Sequence, residues 1–106
     1  FIGQVTAANQ GTVFGVTMTC VETPAGGSAD IDLFSATEGT GVNDTAIGDL
    51  TETQIINSGS LSAGSLVAGG DIAADQFLYL VSQGTGDATY TAGRLMIEIL
   101  GFDAAS

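Results

Sequence analysis

The chain has 106 residues with 12 carboxylates, one basic residue (Arg94) and no histidine, for a formal net charge of −11. That balance repels nucleic-acid phosphates and anionic membrane surfaces. Without His or Lys there is no imidazole base, no Schiff-base amine and no phosphate-binding lysine, so enzymatic activity is not expected. The chain is nevertheless apolar, at 44% hydrophobic residues and a mean hydropathy of +0.38. It reads as one folded domain over residues 1–106, not as an acidic disordered tail.

Many threonines and β-branched residues, 16 glycines and a single proline point to an all-β fold with tight connections. Residues 2–7 open with a short strand. Gly11 to Val21 is the strongest strand pattern: Phe14, Val16, Met18 and Cys20 alternate onto one face, read as core, and Val13, Thr17, Thr19 and Val21 onto the other. A turn is expected at Pro24-Ala25-Gly26-Gly27. Ala29 to Ala36 is the next strand, with Ile31 and Leu33 alternating against Asp30, Asp32 and Phe34. Glu38 to Asn43 reads as a loop. Leu50 to Asn57 suits a strand, although Asp49 with Glu52 also fits a short helix start.

Residues 58–70 are small and glycine-rich and hold at most a weak strand. Gln76 to Ser82 is apolar on both faces and is expected to be central, with Leu78 and Leu80 opposite Phe77, Tyr79 and Val81. Arg94 to Phe102 closes the pattern. Leu95, Ile97 and Ile99 lie on one face, and Arg94, Met96, Glu98, Leu100 and Phe102 on the other. The expectation is a sandwich or jelly roll of about eight short antiparallel strands. Its core is drawn from Phe14, Val16, Met18, Leu78, Leu80, Leu95, Ile97 and Ile99.

Few residues carry chemistry. Cys20 is the only cysteine, so an intrachain disulfide is impossible and a buried free thiol is expected. Asp30 and Asp32 share one side of a strand. They are either a solvated strand face or the start of a site for a hard cation such as Ca²⁺, which needs six to eight oxygen ligands. Gly39-Thr40-Gly41 and Gly84-Thr85-Gly86 read as turns, because neither completes a phosphate-binding glycine motif. Asn43-Asp44-Thr45 fits the N-glycosylation triplet, yet no signal peptide is visible at the start of the chain. No run of 18 apolar residues is present to span a membrane. Arg94 is expected to pair with a carboxylate, within the subunit or across an oligomeric interface, because its planar fork suits bidentate binding.

The run Thr12-Val13-Phe14-Gly15-Val16-Thr17-Met18-Thr19-Cys20-Val21-Glu22-Thr23-Pro24 leads into Ala29-Asp30-Ile31-Asp32-Leu33-Phe34-Ser35-Ala36. It is followed later by Ala74-Asp75-Gln76-Phe77-Leu78-Tyr79-Leu80-Val81 and by Thr91-Ala92-Gly93-Arg94-Leu95-Met96-Ile97-Glu98-Ile99-Leu100-Gly101. Together these resemble small acidic virion proteins of tailed phages, marine and cyanobacterial ones especially, in the class of head decoration or cement proteins. The resemblance implies a β-rich subunit that forms a homo-oligomer, a trimer, on the capsid exterior and clamps the major capsid protein lattice. Other expectations remain open: a tail, fibre or surface-filament subunit, or a carbohydrate-binding jelly roll, for which there is no Trp and only Tyr79 and Tyr90 offer phenol rings. Strand edges are normally blunted by Lys or Pro. With no Lys and one Pro, the edges here are expected to be covered by partners or protected by bulges and carboxylates.

Overall fold

The structure, a computed structural model, describes residues 1–42, 46–83 and 90–102. Among the described residues, seven strands form two antiparallel sheets. The first sheet has the order β1 (Gly3–Gln4), β6 (Phe77–Ser82), β3 (Ile31–Ala36), β4 (Glu52–Ile56). The second has the order β5 (Leu66–Gly69), β2 (Thr12–Ala25), β7 (Ala92–Phe102). The all-β sandwich expected from the alternating patterns is therefore observed. After β1 the chain makes one helical turn, α1 (Ala7–Gln10), which the sequence reading did not anticipate. Thr6 caps it, its hydroxyl oxygen accepting from the Asn9 N–H, and Gly11 at φ 65° ends it.

The core lies between the sheets and draws Val13, Val16, Met18 and Cys20 from β2, with Leu33, Ile56 and Leu78 from the facing sheet. Val5, Leu61 and Ile72 plug its margins from the connections. Gly69 permits the close approach of the sheets. A Cβ there would stand 2.6 Å from the Ile55 carbonyl oxygen and 2.8 Å from Ile56 Cγ1.

Three departures from simple alternation have local causes. Between Val13 and Gly15 the β2–β7 register shifts, and Phe14 is the unpaired residue of that bulge. The bulge turns Phe14 out of the core, to 59% exposure, and brings Val13 in. Leu80 faces Leu33 but is 40% exposed. The two-residue β1 flanks β6 only at Phe77 and Leu78 and leaves the strand uncovered further along. Leu95, Ile97 and Ile99 do face inward but are only half-buried, because β7 is the edge of its sheet.

Pro24 sits inside β2 rather than in the following turn. It is tolerated because β5 accompanies β2 only from Val16 to Thr19. Leu50 to Asn57 resolves as a strand, preceded by a 3₁₀ turn at Ile47–Asp49.

The segment after β3 folds back over the outer face of the four-stranded sheet. Tyr79 donates its hydroxyl proton to the Glu38 carbonyl at 2.8 Å and accepts from the Gly41 N–H at 3.1 Å. Gly39 and Gly41 lie against the rings of Phe77 and Tyr79, so close that a Cβ at either would clash. Gly39-Thr40-Gly41 is thus a cover for two aromatic rings. This cover explains why Phe34, Ala36 and Tyr79 are buried although they point away from the sandwich interior. The Asn43-Asp44-Thr45 triplet and Gly84-Thr85-Gly86 lie outside the described residues.

Candidate functional site

Asp30 and Asp32 do lie together, at the start of β3 on the outer face of its sheet. Asp32 is not solvated: it is 1% exposed. Its Oδ2 accepts from the Gln54 side-chain amide at 2.7 Å and its Oδ1 from the Ser58 N–H at 2.8 Å. The Ser58 hydroxyl stands between the Ile31 carbonyl and Asp32 Oδ1. Asp32 thus ties β3 to the end of β4 and the turn beyond it. Gln54 and Ser58 lie 22 and 26 residues along the chain, a separation with no local sequence signal.

Asp30 is half-buried, and its Oδ1 is shielded with no hydrogen-bond partner. Its pKa is raised above the ordinary 3.8, first by desolvation and then by the charge of Asp32. Two carboxylates fall short of the oxygen set of a calcium site. Among the described residues no group of three or more Asp, Glu, His or Cys side chains is placed to hold a metal.

Arg94 is exposed on β7, and its partner across the strand pair is Glu22. The Glu22 carboxylate instead accepts from the Gly93 N–H at 2.7 Å. Cys20 is a buried free thiol whose S–H donates to the Glu22 carbonyl. The phenol of Tyr90 donates to the Ser28 carbonyl and meets the Ser82 hydroxyl, so both tyrosine hydroxyls are bonded within the subunit.

The described residues also leave an apolar surface exposed. On the outer face of the three-stranded sheet, Phe14, Leu66, Met96, Leu100 and Phe102 are all exposed. The rings of Phe14 and Phe102 lie 6.3 Å apart. Thr17 and Thr19 fill the centre of the face, and the β7 side chains Arg94 and Glu98 bring charge to it. The sequence showed the even-numbered half of this row on β7, but Phe14 joins it only through the bulge.

No protein family, curated protein or solved structure matches this chain.

Proposed function

We propose that this protein is a non-enzymatic structural subunit that docks through the outer face of its three-stranded sheet. We further propose that its setting is the exterior of a phage capsid, as a cement or decoration subunit on the major capsid protein lattice. The observation that carries the docking role is the exposed row of Phe14, Leu66, Met96, Leu100 and Phe102. Large apolar side chains left exposed together on one sheet face mark an interaction site. The capsid setting follows from the resemblance described above. The missing His and Lys support the non-enzymatic part, and the net charge of −11 argues against nucleic acid or an anionic membrane as partner.

The same charge constrains the docking surface of the partner. It presents Arg and Lys, or divalent cations bridge the contact. In the first case moderate salt weakens attachment, and in the second a chelator releases the subunit. Purified particles test the proposal directly. The subunit is expected on the shell in a symmetric copy number, and Phe14→Asp and Phe102→Asp are expected to strip it from the shell without lowering its Tm. A particle map lacking the chain on the capsid overturns the capsid setting. Unchanged occupancy of both variants overturns the docking face.

A further inference from the structure

We infer that β7 is a self-complementary edge that pairs with β7 of a second copy, joining two three-stranded sheets into one. This does not rest on the capsid reading. Among the described residues β7 is terminal in its sheet. The other sheet ends are short: β1 has two residues, β5 four and β4 five. β7 has eleven and contains no Lys or Pro to discourage pairing. Its inward row of Leu95, Ile97 and Ile99 is only half-buried. Ile97 and Ile99 line an open cleft against Ile2 and Leu78 where the two sheets part.

Cys20 bonds on the β5 side, its N–H donating to the Ser65 carbonyl and its carbonyl accepting from the Gly64 N–H. Polar groups of successive strand residues point to opposite sides. Thr19 therefore turns its N–H and C=O toward β7, where its partner is Met96. By the same alternation, Leu95 and Ile97 present their N–H and C=O groups to the open edge.

Charge then selects the register. Arg94 and Glu98 are the only charged residues of β7, both are exposed, and both lie on its outer face. When two identical strands pair antiparallel in a continuous sheet, a two-fold axis passes through one residue pair. Centring that axis on Met96 sets Arg94 opposite Glu98 of the partner subunit, and Glu98 opposite the partner's Arg94. Leu95 and the partner's Ile97 then exchange backbone hydrogen bonds, as do Ile97 and the partner's Leu95.

Shifting the centre by one residue sets both charges against apolar side chains. Centring on Arg94 or on Glu98 sets like charges against each other, which is destabilising. Arg94-Leu95-Met96-Ile97-Glu98 is therefore a charge palindrome with one favoured register. That register is non-hydrogen-bonded at Met96 and at the ion pairs, where cross-strand side chains come closest. It also covers the open sides of Leu95 and Ile97 and makes the two docking faces continuous.

Analytical ultracentrifugation of the intact chain in about 0.15 M salt tests this. There the Debye length is about 8 Å, so the general repulsion between two acidic copies is largely screened while the direct pairs persist. The expected species at tens of micromolar has twice the 10.5 kDa monomer mass. Arg94→Glu and Glu98→Arg are each expected to weaken the dimer at least tenfold, and the double exchange to restore it. Met96→Cys provides an independent readout. A non-hydrogen-bonded pair spaces its Cα atoms about 4.5 Å apart, within disulfide range. Mild oxidation is therefore expected to link two copies through residue 96, and Leu100→Cys is expected not to link. A monomeric or trimeric wild type, a folded double exchange that fails to restore the dimer, or equal cross-linking at both positions overturns the pairing.

Discussion

Replacing Asp32 with alanine is expected to cost about 2–4 kcal/mol, and the figure follows from its partners. The carboxylate accepts two charge-assisted bonds, from the Ser58 N–H at 2.8 Å and the Gln54 amide at 2.7 Å. Hydrogen bonds to a charged group contribute about 1.5–3 kcal/mol each. The Gln54 side chain is exposed and turns to water when its acceptor is removed, so its share lies at the low end. The Ser58 N–H is half-buried and keeps a desolvation penalty of about 1–3 kcal/mol. A small offset comes from Asp30, which loses a like-charged neighbour. For a domain of this size each kcal/mol moves Tm by about 4–8 °C, so a fall of roughly 10 °C or more is expected. Asp32→Asn keeps one acceptor oxygen for Ser58, and the Gln54 amide can turn to accept from the new NH₂, so its cost should stay below about 1.5 kcal/mol. Urea unfolding with an unchanged m-value measures both. An alanine cost below about 1 kcal/mol would show that Asp32 does not tie β3 to β4. Equal costs for Asn and Ala would show that the charge itself is required, as in a cation site.

Two further substitutions separate the core from the surface. Met18 is fully buried, so Met18→Ala is expected to cost about 2–5 kcal/mol. Phe14→Ala, on the exposed bulge, is expected to change stability by less than about 1 kcal/mol; equal costs in urea unfolding would refute the inside-out reading of Phe14. Gly69→Ala drives a methyl into the Ile55 carbonyl of the facing sheet and is expected to cost about 1–3 kcal/mol, while a neutral result would mean the sheets part easily there.

Period-two reading placed Val16, Met18, Cys20, Leu33 and Leu78 on the correct faces, because their strands run regularly and one face is buried. It failed where the backbone departs from regularity. Alternation carried Phe14 inward because a bulge adds a residue that no local propensity announces. Leu80 and the β7 row depend on which strands are neighbours, and strand order is a property of the whole chain. Asp30 and Asp32 were legible as a pair, but their environment was not. Burial of Asp32 requires Gln54 and Ser58, and burial of Phe34 and Tyr79 requires the loop through Gly39 and Gly41. Those contacts join segments separated by 22 to 41 residues. The docking face was half-visible on β7 and complete only once Leu66 and Phe14 were placed beside it.

The pH dependence of stability should be unusual, because the two perturbed carboxyls act in opposite senses. Asp30 has its pKa raised from 3.8 by desolvation and by Asp32. Its folded form therefore favours the proton, and the stability linked to it is full below 3.8 and lost as pH rises through the raised value. Glu38 has its pKa lowered from 4.5, first by the Thr37 hydroxyl and then by the Thr51 N–H, which donates to it at 2.8 and 2.9 Å. The stability linked to Glu38 is full above 4.5 and lost as pH falls through the lowered value. The two windows meet near pH 4. The isoelectric point of 4.1 lies there too, so the self-repulsion of eleven excess negative charges also fades toward that pH. Most proteins are most stable between about pH 5 and 8, whereas this one is expected to peak at about pH 4 to 5. Urea midpoints from about pH 3 to 8, at low protein concentration to avoid isoelectric association, measure the curve. Asp30→Asn should flatten the decline on the alkaline side of the peak, since the amide mimics the protonated acid. Glu38→Gln should flatten the decline on the acid side, since the group no longer titrates. A midpoint that climbs steadily from pH 4 to 7, as it would if paired carboxylates dominated, would show that neither the crowding of Asp30 nor the accumulated negative charge governs this fold.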